Sequence, residues 1–485
     1  MENTLQDSHS FLISPYLAAG LLAGFSILWI GLGFYWGRKN KSYEDFSVAG
    51  RNIGLALGSA TAVATWVTSN TTMMAPQFAS QMGVIGMLAY SSAAIGLFLF
   101  APLAKRIKAL MPEAVTSGDF MRLRYGKSTW LIYLIITLSY SIIWLLSMAM
   151  AGGIVLETLS GIPYAIGLTV ILLVCVLYTL RGGLYAVIGT DFIQTLIILL
   201  GVVVVAYSIV SKVGLEPIYH QLEKQQPELL NLLLPASIIA IFNNLFFGIG
   251  EVVHNNVWWS RVFAFKEAVV DKAFYLGALI WLPIPIAAGF IALAAGSLSI
   301  NVPSADMIGP LIAAQILGKT GAVIIFVVIF SSIASSIDSL LAASSDLITE
   351  DIFHKQIKPD ATDKELQRFS QISIIGLGLL AWLLALARVD TLANVLFFAG
   401  PLVASLIWPI IAGLYWKSMN SKTALLAILL GTSLGLITYF LYAWYAATLV
   451  AAISSMIVVF IGTAIQKTIK VGRSSTKSFQ KQLKL

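Results

Sequence analysis

Long apolar runs separated by short polar segments fill most of this chain. A helix needs about 20 largely apolar residues to cross a hydrocarbon core of about 30 Å. Runs of that kind are predicted near 14–37, 52–77, 83–104, 128–156, 162–181, 184–211, 232–260, 268–297, 320–350, 369–388, 392–416, 422–443 and 446–467, thirteen in all. Three of them break the pattern. The second reads ATAVATWVTSNTTMMAPQ, with Thr65, Thr68, Ser69, Asn70, Thr71 and Thr72 in its middle. The seventh reads IFNNLFFGIGEVVHNN and places Gly248 and Gly250 just before Glu251. The ninth carries Ser332, Ser335, Ser336 and Ser339, with Asp338 beside them; residues three and four apart share one helix face.

The second and seventh runs lie five spans apart. That is the spacing of matching helices in two inverted five-helix repeats, whose interrupted helices build a site near mid-membrane. Close helix packing through Gly, Ser and Thr is the alternative for either interruption alone. A row of oxygens in hydrocarbon is costly unless it faces protein, water or an ion. Oxygens hold hard cations such as Na+, so the ninth-span stripe points to an ion site in an ion-driven transporter. Serines that merely let helices approach are the competing reading.

Composition agrees with membrane residence. Charged residues make up 11% of the 485 and hydrophobic ones 58%, at a mean hydropathy of +0.87, whereas soluble domains carry roughly 25% charged residues. With the N-terminus placed outside, 26 of the 30 Lys and Arg fall in inner segments and only Lys212, Lys224, Lys319 and Arg388 in outer ones. The positive-inside rule selects that orientation, so a multi-pass protein of the plasma membrane with a cytoplasmic C-terminus is expected. MENTLQDSHS lacks the positive stretch of a cleaved signal, which predicts that the first span is retained. The tail from Lys470 to Leu485 is basic and suited to an anionic inner leaflet. Cys175, the sole cysteine, is predicted to be core filler. No nucleotide-binding loop and no separate soluble domain is visible. The expected partners are therefore a small-molecule solute and the lipid bilayer rather than nucleic acid, and no enzymatic activity is expected.

Asp191, Glu251 and Asp338 also fall within spans. Each costs about 2.5–3.5 kcal/mol at a helix centre on insertion scales, so idle placement of all three is unexpected. Two facing carboxylates repel unless a cation or a shared proton lies between them. A second cation or proton site is one reading of Asp191 and Asp338; an inner gate, with either acid paired to Arg181 or another base, is the other. Glu251 beside a helix break suggests contact with a cationic or hydrogen-bond-donating solute, or a proton carrier, and a neutral carboxyl bonded to nearby backbone is the alternative. Trp258, Trp259 and Arg261 are expected to form an interfacial belt at the inner membrane face.

Three segments, DFSVAGRNIG, GGLYAVIGTDFIQTLIILLG and SSDLITEDIF, together resemble the sodium/solute symporter family over about residues 43–417. HNNVWWSRVFA and KAFYLGALIWLPIPIA are most similar to its urea-permease branch. The resemblance implies an all-α membrane protein with a ten-helix inverted-repeat core at 52–416. It is preceded by an outside N-terminus and an accessory span at 1–51, and followed by two accessory spans and a basic tail at 417–485. It further implies a sodium ion held by carbonyls of Ala64, Val67 and Ser332 and by hydroxyls of Ser335 and Ser336. In some members a second cation binds near positions matching Asp191, Ser335, Asp338 and Ser339, although those members carry serine where this chain has Asp338. Solute contacts are expected from Thr68, Ser69, Thr71, Glu251 and Phe397. The expected function is sodium-coupled uptake of a small polar, nitrogen-containing, urea-like solute by alternating access. The rivals are a proton-coupled permease and a sensor that binds solute without moving it.

Overall fold

The computed structural model describes residues 12–295, 307–442 and 444–469; the N-terminal decapeptide and the tail from Lys470 onward lie outside them. The described chain is helical, with no strand beyond an isolated pairing of Ile53 with Phe265. We number the principal helices α1 (Pro15–Gly37), α2 (Leu55–Trp66), α3 (Ala75–Ser91), α4 (Ala94–Leu110), α5 (Ser117–Tyr125) and α6 (Lys127–Ser160). Then come α7 (Tyr164–Lys212), α8 (Pro235–His254), α9 (Asn256–Ala264), α10 (Val270–Trp281), α11 (Pro283–Leu293) and α12 (Ile308–Asp346). The last six are α13 (Asp363–Ala385), α14 (Leu392–Phe398), α15 (Gly400–Ala404), α16 (Ile407–Tyr415), α17 (Ser421–Leu441) and α18 (Trp444–Ile469).

Among the described residues, eleven helical stretches are long and apolar enough to cross a membrane, not thirteen. The difference has a local cause. Helix α7 runs for 49 residues, about 74 Å if straight, more than twice the hydrocarbon thickness. It turns at Gly183, where φ is 52° and ψ is −153°, a region open essentially to glycine alone. A Cβ there would lie 2.4 Å from the Phe46 carbonyl. The two spans expected at 162–181 and 184–211 are the two arms of this one element. The second expected span is divided into α2 and a part that runs on with the third, expected at 83–104, in one stretch from Asn70 to Leu110, which accounts for the other missing count.

Helix starts follow capping chemistry. Ser14, Thr116, Asn255, Thr391 and Asn420 each accept a backbone N–H in the first turn of the helix that follows, and Thr362 with Glu365 completes a reciprocal capping box. The site is framed by α2, α7 and α12, which pack on one another, with α6 also against α7 and α12. Ile53 joins the entry of α2 to the exit of α9: its N–H donates to the Ala264 carbonyl (3.1 Å), and the Lys266 N–H donates to its carbonyl (3.0 Å).

Helix α8 corrects the sequence reading of the seventh span. It runs unbroken through Gly248 and Gly250 and ends at Asn255, where ψ is 130°. The interruption therefore follows Glu251 instead of preceding it. The glycines serve close approach: a Cβ on Gly248 would meet Ala93 backbone at 2.7 Å, and one on Gly250 the Val403 carbonyl at 2.8 Å. Small residues at crossings do this in membrane bundles.

Candidate cation and solute site

The polar run after α2 satisfies the backbone that the interruption strands. Helix α2 stops because Val67 is extended, with φ −84° and ψ 90°, which frees carbonyls that a continuous helix would use. The Trp66 carbonyl accepts from Thr71 Oγ1 (3.0 Å) and from Trp281 Nε1 (2.8 Å). Thr68 Oγ1 in turn accepts from the N–H groups of Asn70 (3.0 Å) and Thr71 (3.4 Å). The Ala64 carbonyl accepts from Ser335 Oγ at 3.0 Å, across 271 positions of sequence.

On α12, Ser336 donates to the Ser332 carbonyl (3.0 Å), and Ser335, with a single proton to share, lies 3.0 Å from the Ser332 carbonyl as well as from that of Ala64. Ala64, Val67, Ser332, Ser335 and Ser336 are all buried. The Ala64 carbonyl, the Ser332 carbonyl and two hydroxyls thus converge where α2 ends and α12 passes. These are oxygens of the kind that cation sites in broken-helix transporters use. Val67 sits at the break itself.

Asp191 does not pair with Arg181. Its Oδ2 accepts from Arg261 Nη2 (3.2 Å) and from Thr61 Oγ1 (2.5 Å). Arg261 Nη2 also donates to Ser339 Oγ (2.8 Å). Asp338 is drawn elsewhere, with its Oδ2 accepting from Tyr178 OH (2.7 Å). The belt expected at Trp258, Trp259 and Arg261 is absent, because all three are buried. Trp258 Nε1 donates to Glu251 Oε2 (2.7 Å), and Trp259 Nε1 donates to the Val253 carbonyl (2.8 Å). Ring N–H groups that find protein acceptors gain nothing from an interfacial position.

Beside the α2 break lies a small cavity of about 30 Å³. Thr68, Glu251 and Phe397 line it; Ser69 and Thr71 do not. Ser69 Oγ faces Met148 Sδ at 3.2 Å, and Thr71 is spent on the Trp66 carbonyl. The walls are largely aromatic: Trp66, Tyr90, Tyr140, Trp144, Phe247 and Trp281 join Phe397. Asn70 and Asn244 add amides. Among the described residues, no hydrogen-bond partner meets the buried Nε1 of Trp66 or of Trp144. Glu251 also accepts from Asn255 Nδ2 (3.1 Å), so its carboxyl ties the end of α8 to the start of α9 across the interruption.

Thr61 and Tyr178 escaped the sequence reading. Arg261 was placed at the membrane interface, yet it is the other inner-side base that pairs with Asp191.

Residues 46–431, most of the chain, match the profile of the sodium:solute symporter family. This chain belongs to that family. Among curated symporters and transporters, it is 26% identical over 441 residues to the urea-proton symporter DUR3 of Oryza sativa subsp. japonica, covering 83% of this chain and 61% of the relative. The urea active transporter of Saccharomyces cerevisiae is 27% identical over 429 residues, covering 82% and 58%. The osmoregulated proline transporter OpuE of Bacillus subtilis is 28% identical over 420 residues, covering 84% and 85%. The aligned part of this chain thus spans about three-fifths of the length of the two urea transporters. A Na+-coupled sialic acid symporter in a substrate-bound outward-open state shares its fold, with a TM-score of 0.79 at 17% identity, covering 93% of this chain and 98% of that one. The family is one of symporters rather than enzymes.

Proposed function

We propose that this symporter couples inward sodium movement to uptake of a small, planar, nitrogen-containing solute of the urea class by alternating access. The observation that carries the sodium part is the convergence of the Ala64 and Ser332 carbonyls with the Ser335 and Ser336 hydroxyls. Val67, at the break, completes the proposed ligand set. A bound sodium ion would tie α2 to α12 and hold the break in one shape, and its loss to the cytoplasm would free both.

The solute part rests on the chemistry of the cavity. Flat aromatic walls suit a flat solute. The unpaired Trp66 and Trp144 N–H groups can donate to a carbonyl, while Glu251 and the side-chain carbonyls of Asn70 or Asn244 can accept from N–H groups. A urea-like solute carries one strong acceptor and several donors, which complements this set. Thr68 and Phe397 are assigned as wall contacts; Ser69 and Thr71 are proposed to act indirectly, by shaping the break. Similarity to two urea transporters supports the same solute class.

Proton coupling is the second reading, favoured by the urea-proton symporter among the relatives and by the buried Asp191, Asp338 and Glu251. Uptake of labelled urea into proteoliposomes, driven separately by a sodium gradient and by a pH gradient, tests both. The proposal expects sodium-driven accumulation of urea or a close analogue. Accumulation driven by the pH gradient alone would replace it with the second reading, and no accumulation under either gradient would overturn the function.

A further inference from the structure

Arg261 is a whole basic side chain enclosed in the transport core. Its exposure is 0%, and every arm of its guanidinium is committed. Nε donates to Thr61 Oγ1 (3.0 Å), Nη1 to the Val257 carbonyl (3.0 Å), and Nη2 to both Asp191 Oδ2 (3.2 Å) and Ser339 Oγ (2.8 Å). The hydroxyls it meets are occupied in the other direction as well. Thr61 donates to Asp191, and Ser339 donates to the Ser335 carbonyl at 2.7 Å. The positive charge therefore sits among the acid and hydroxyl oxygens where a second metal cation would have to bind.

We propose that Arg261 is a tethered cation that closes the position beside Asp191 and Ser339 to a second sodium ion, so that one sodium ion accompanies each solute. This rests on the sodium-coupled reading above and adds the ion count and the residue that sets it. The physical reasons are two. A metal ion taken out of water needs several oxygen ligands to replace its hydration. Here the Thr61 and Ser339 hydroxyls and one Asp191 oxygen already serve the guanidinium. Like charges a few ångströms apart also repel strongly where water does not screen them.

Asp338 does not restore the position. Tyr178 on α7 holds one of its oxygens. The other oxygen, like Asp191 Oδ1, has no partner among the described residues. Two carboxyls against one guanidinium leave a deficit of a single charge, and a proton on one carboxyl meets it with no further ligands. The sodium position between Ala64 and Ser335 is separate, because Arg261 bonds to none of its oxygens.

The test is thermodynamic stoichiometry, which a merely structural role of Arg261 would not set. Full-length protein in proteoliposomes, with membrane voltage clamped at zero, is given a series of sodium gradients, and accumulated urea is measured at steady state. One ion per solute makes about a tenfold sodium gradient support about tenfold accumulation, whereas two ions would support about a hundredfold. Accumulation rising as the square of the sodium gradient in the wild-type protein would overturn the inference while leaving sodium coupling intact. No sodium-driven accumulation would instead remove the functional reading beneath it. Arg261→Ala, with Asp191 retained, is expected to steepen the dependence toward the square; a folded variant with an unchanged slope would show that Arg261 is not what closes the position. Should that variant fail to fold, the wild-type slope decides alone.

Discussion

Ser335 Oγ stands 3.0 Å from the carbonyl oxygen of Ala64, joining the broken end of α2 to the serine face of α12. The bond uses a carbonyl that exists as a free acceptor only because Val67 leaves the helix. The proposed cation site and the helix break are therefore one structure: a continuous α2 would have no such oxygen to offer. The break is itself maintained by neighbouring side chains, so its chemistry can be tested away from the serines.

Thr71→Val should destabilise the protein while keeping side-chain volume. It removes one of the two donors to the Trp66 carbonyl, the Trp281 donor remaining. A net loss of about 1 kcal/mol is expected for such a hydrogen bond, with a lower unfolding temperature in detergent and weaker sodium activation of uptake. Thr71→Ser, which keeps the hydroxyl, should restore both. An unfolding temperature and sodium activation equal to wild type in Thr71→Val would mean that the break does not depend on this cap.

Glu251→Gln tests a carboxyl that faces the cavity and also closes the interruption between α8 and α9. Asn255 Nδ2 and Trp258 Nε1 each donate to a different oxygen, and an amide has only one oxygen to accept with. One donor must then face an NH2 group, at a cost of about 1–3 kcal/mol for a buried group left unmet. Uptake should fall about tenfold or more, with neutral amides such as urea retaining partial transport and cationic analogues losing most of theirs. Wild-type uptake of every transported solute would show that the acid serves neither purpose.

Gly183→Ala addresses the turn within α7. Alanine would have to adopt a backbone region reserved for glycine, at about 1–3 kcal/mol, and would place a Cβ 2.4 Å from the Phe46 carbonyl. Sharply reduced yield of folded protein by size-exclusion chromatography is expected. Gly126→Ala is the control: its φ is also positive, at 81°, but nothing lies within 4 Å of the added Cβ, so it carries the backbone strain without the clash and should lose less. Equal yields of the two variants would count against the close packing of the α7 turn on Phe46.

Much of this architecture was legible from the pattern of apolar runs, because the bilayer fixes their length and excludes unsatisfied backbone. The polar interruption near Thr68 was legible for the same reason: so many hydroxyls in one span need partners. The seventh span misled, since glycine signals a break and a close crossing alike, and Gly248 and Gly250 turned out to be crossings. Asn255 makes the break through a capping bond to the Val257 N–H, a small signal inside an apolar segment. Trp258, Trp259 and Arg261 were misplaced because aromatic and basic residues together also describe a membrane interface. Only tertiary structure reveals that Asp191, far away in sequence, meets Arg261.

The most direct test is equilibrium binding of radiolabelled sodium to the purified protein, which needs no knowledge of the solute. Ser335→Ala and Ser336→Ala together remove two hydroxyl oxygens from the α2–α12 junction and strip the Ala64 carbonyl of its partner. Ser344→Ala is the control, since its buried hydroxyl has no partner among the described residues. The account predicts saturable sodium binding in wild type and in Ser344→Ala, weakened by about tenfold or more in the double variant, the equivalent of about 1.4 kcal/mol. Sodium binding of undiminished affinity in a folded double variant would contradict it.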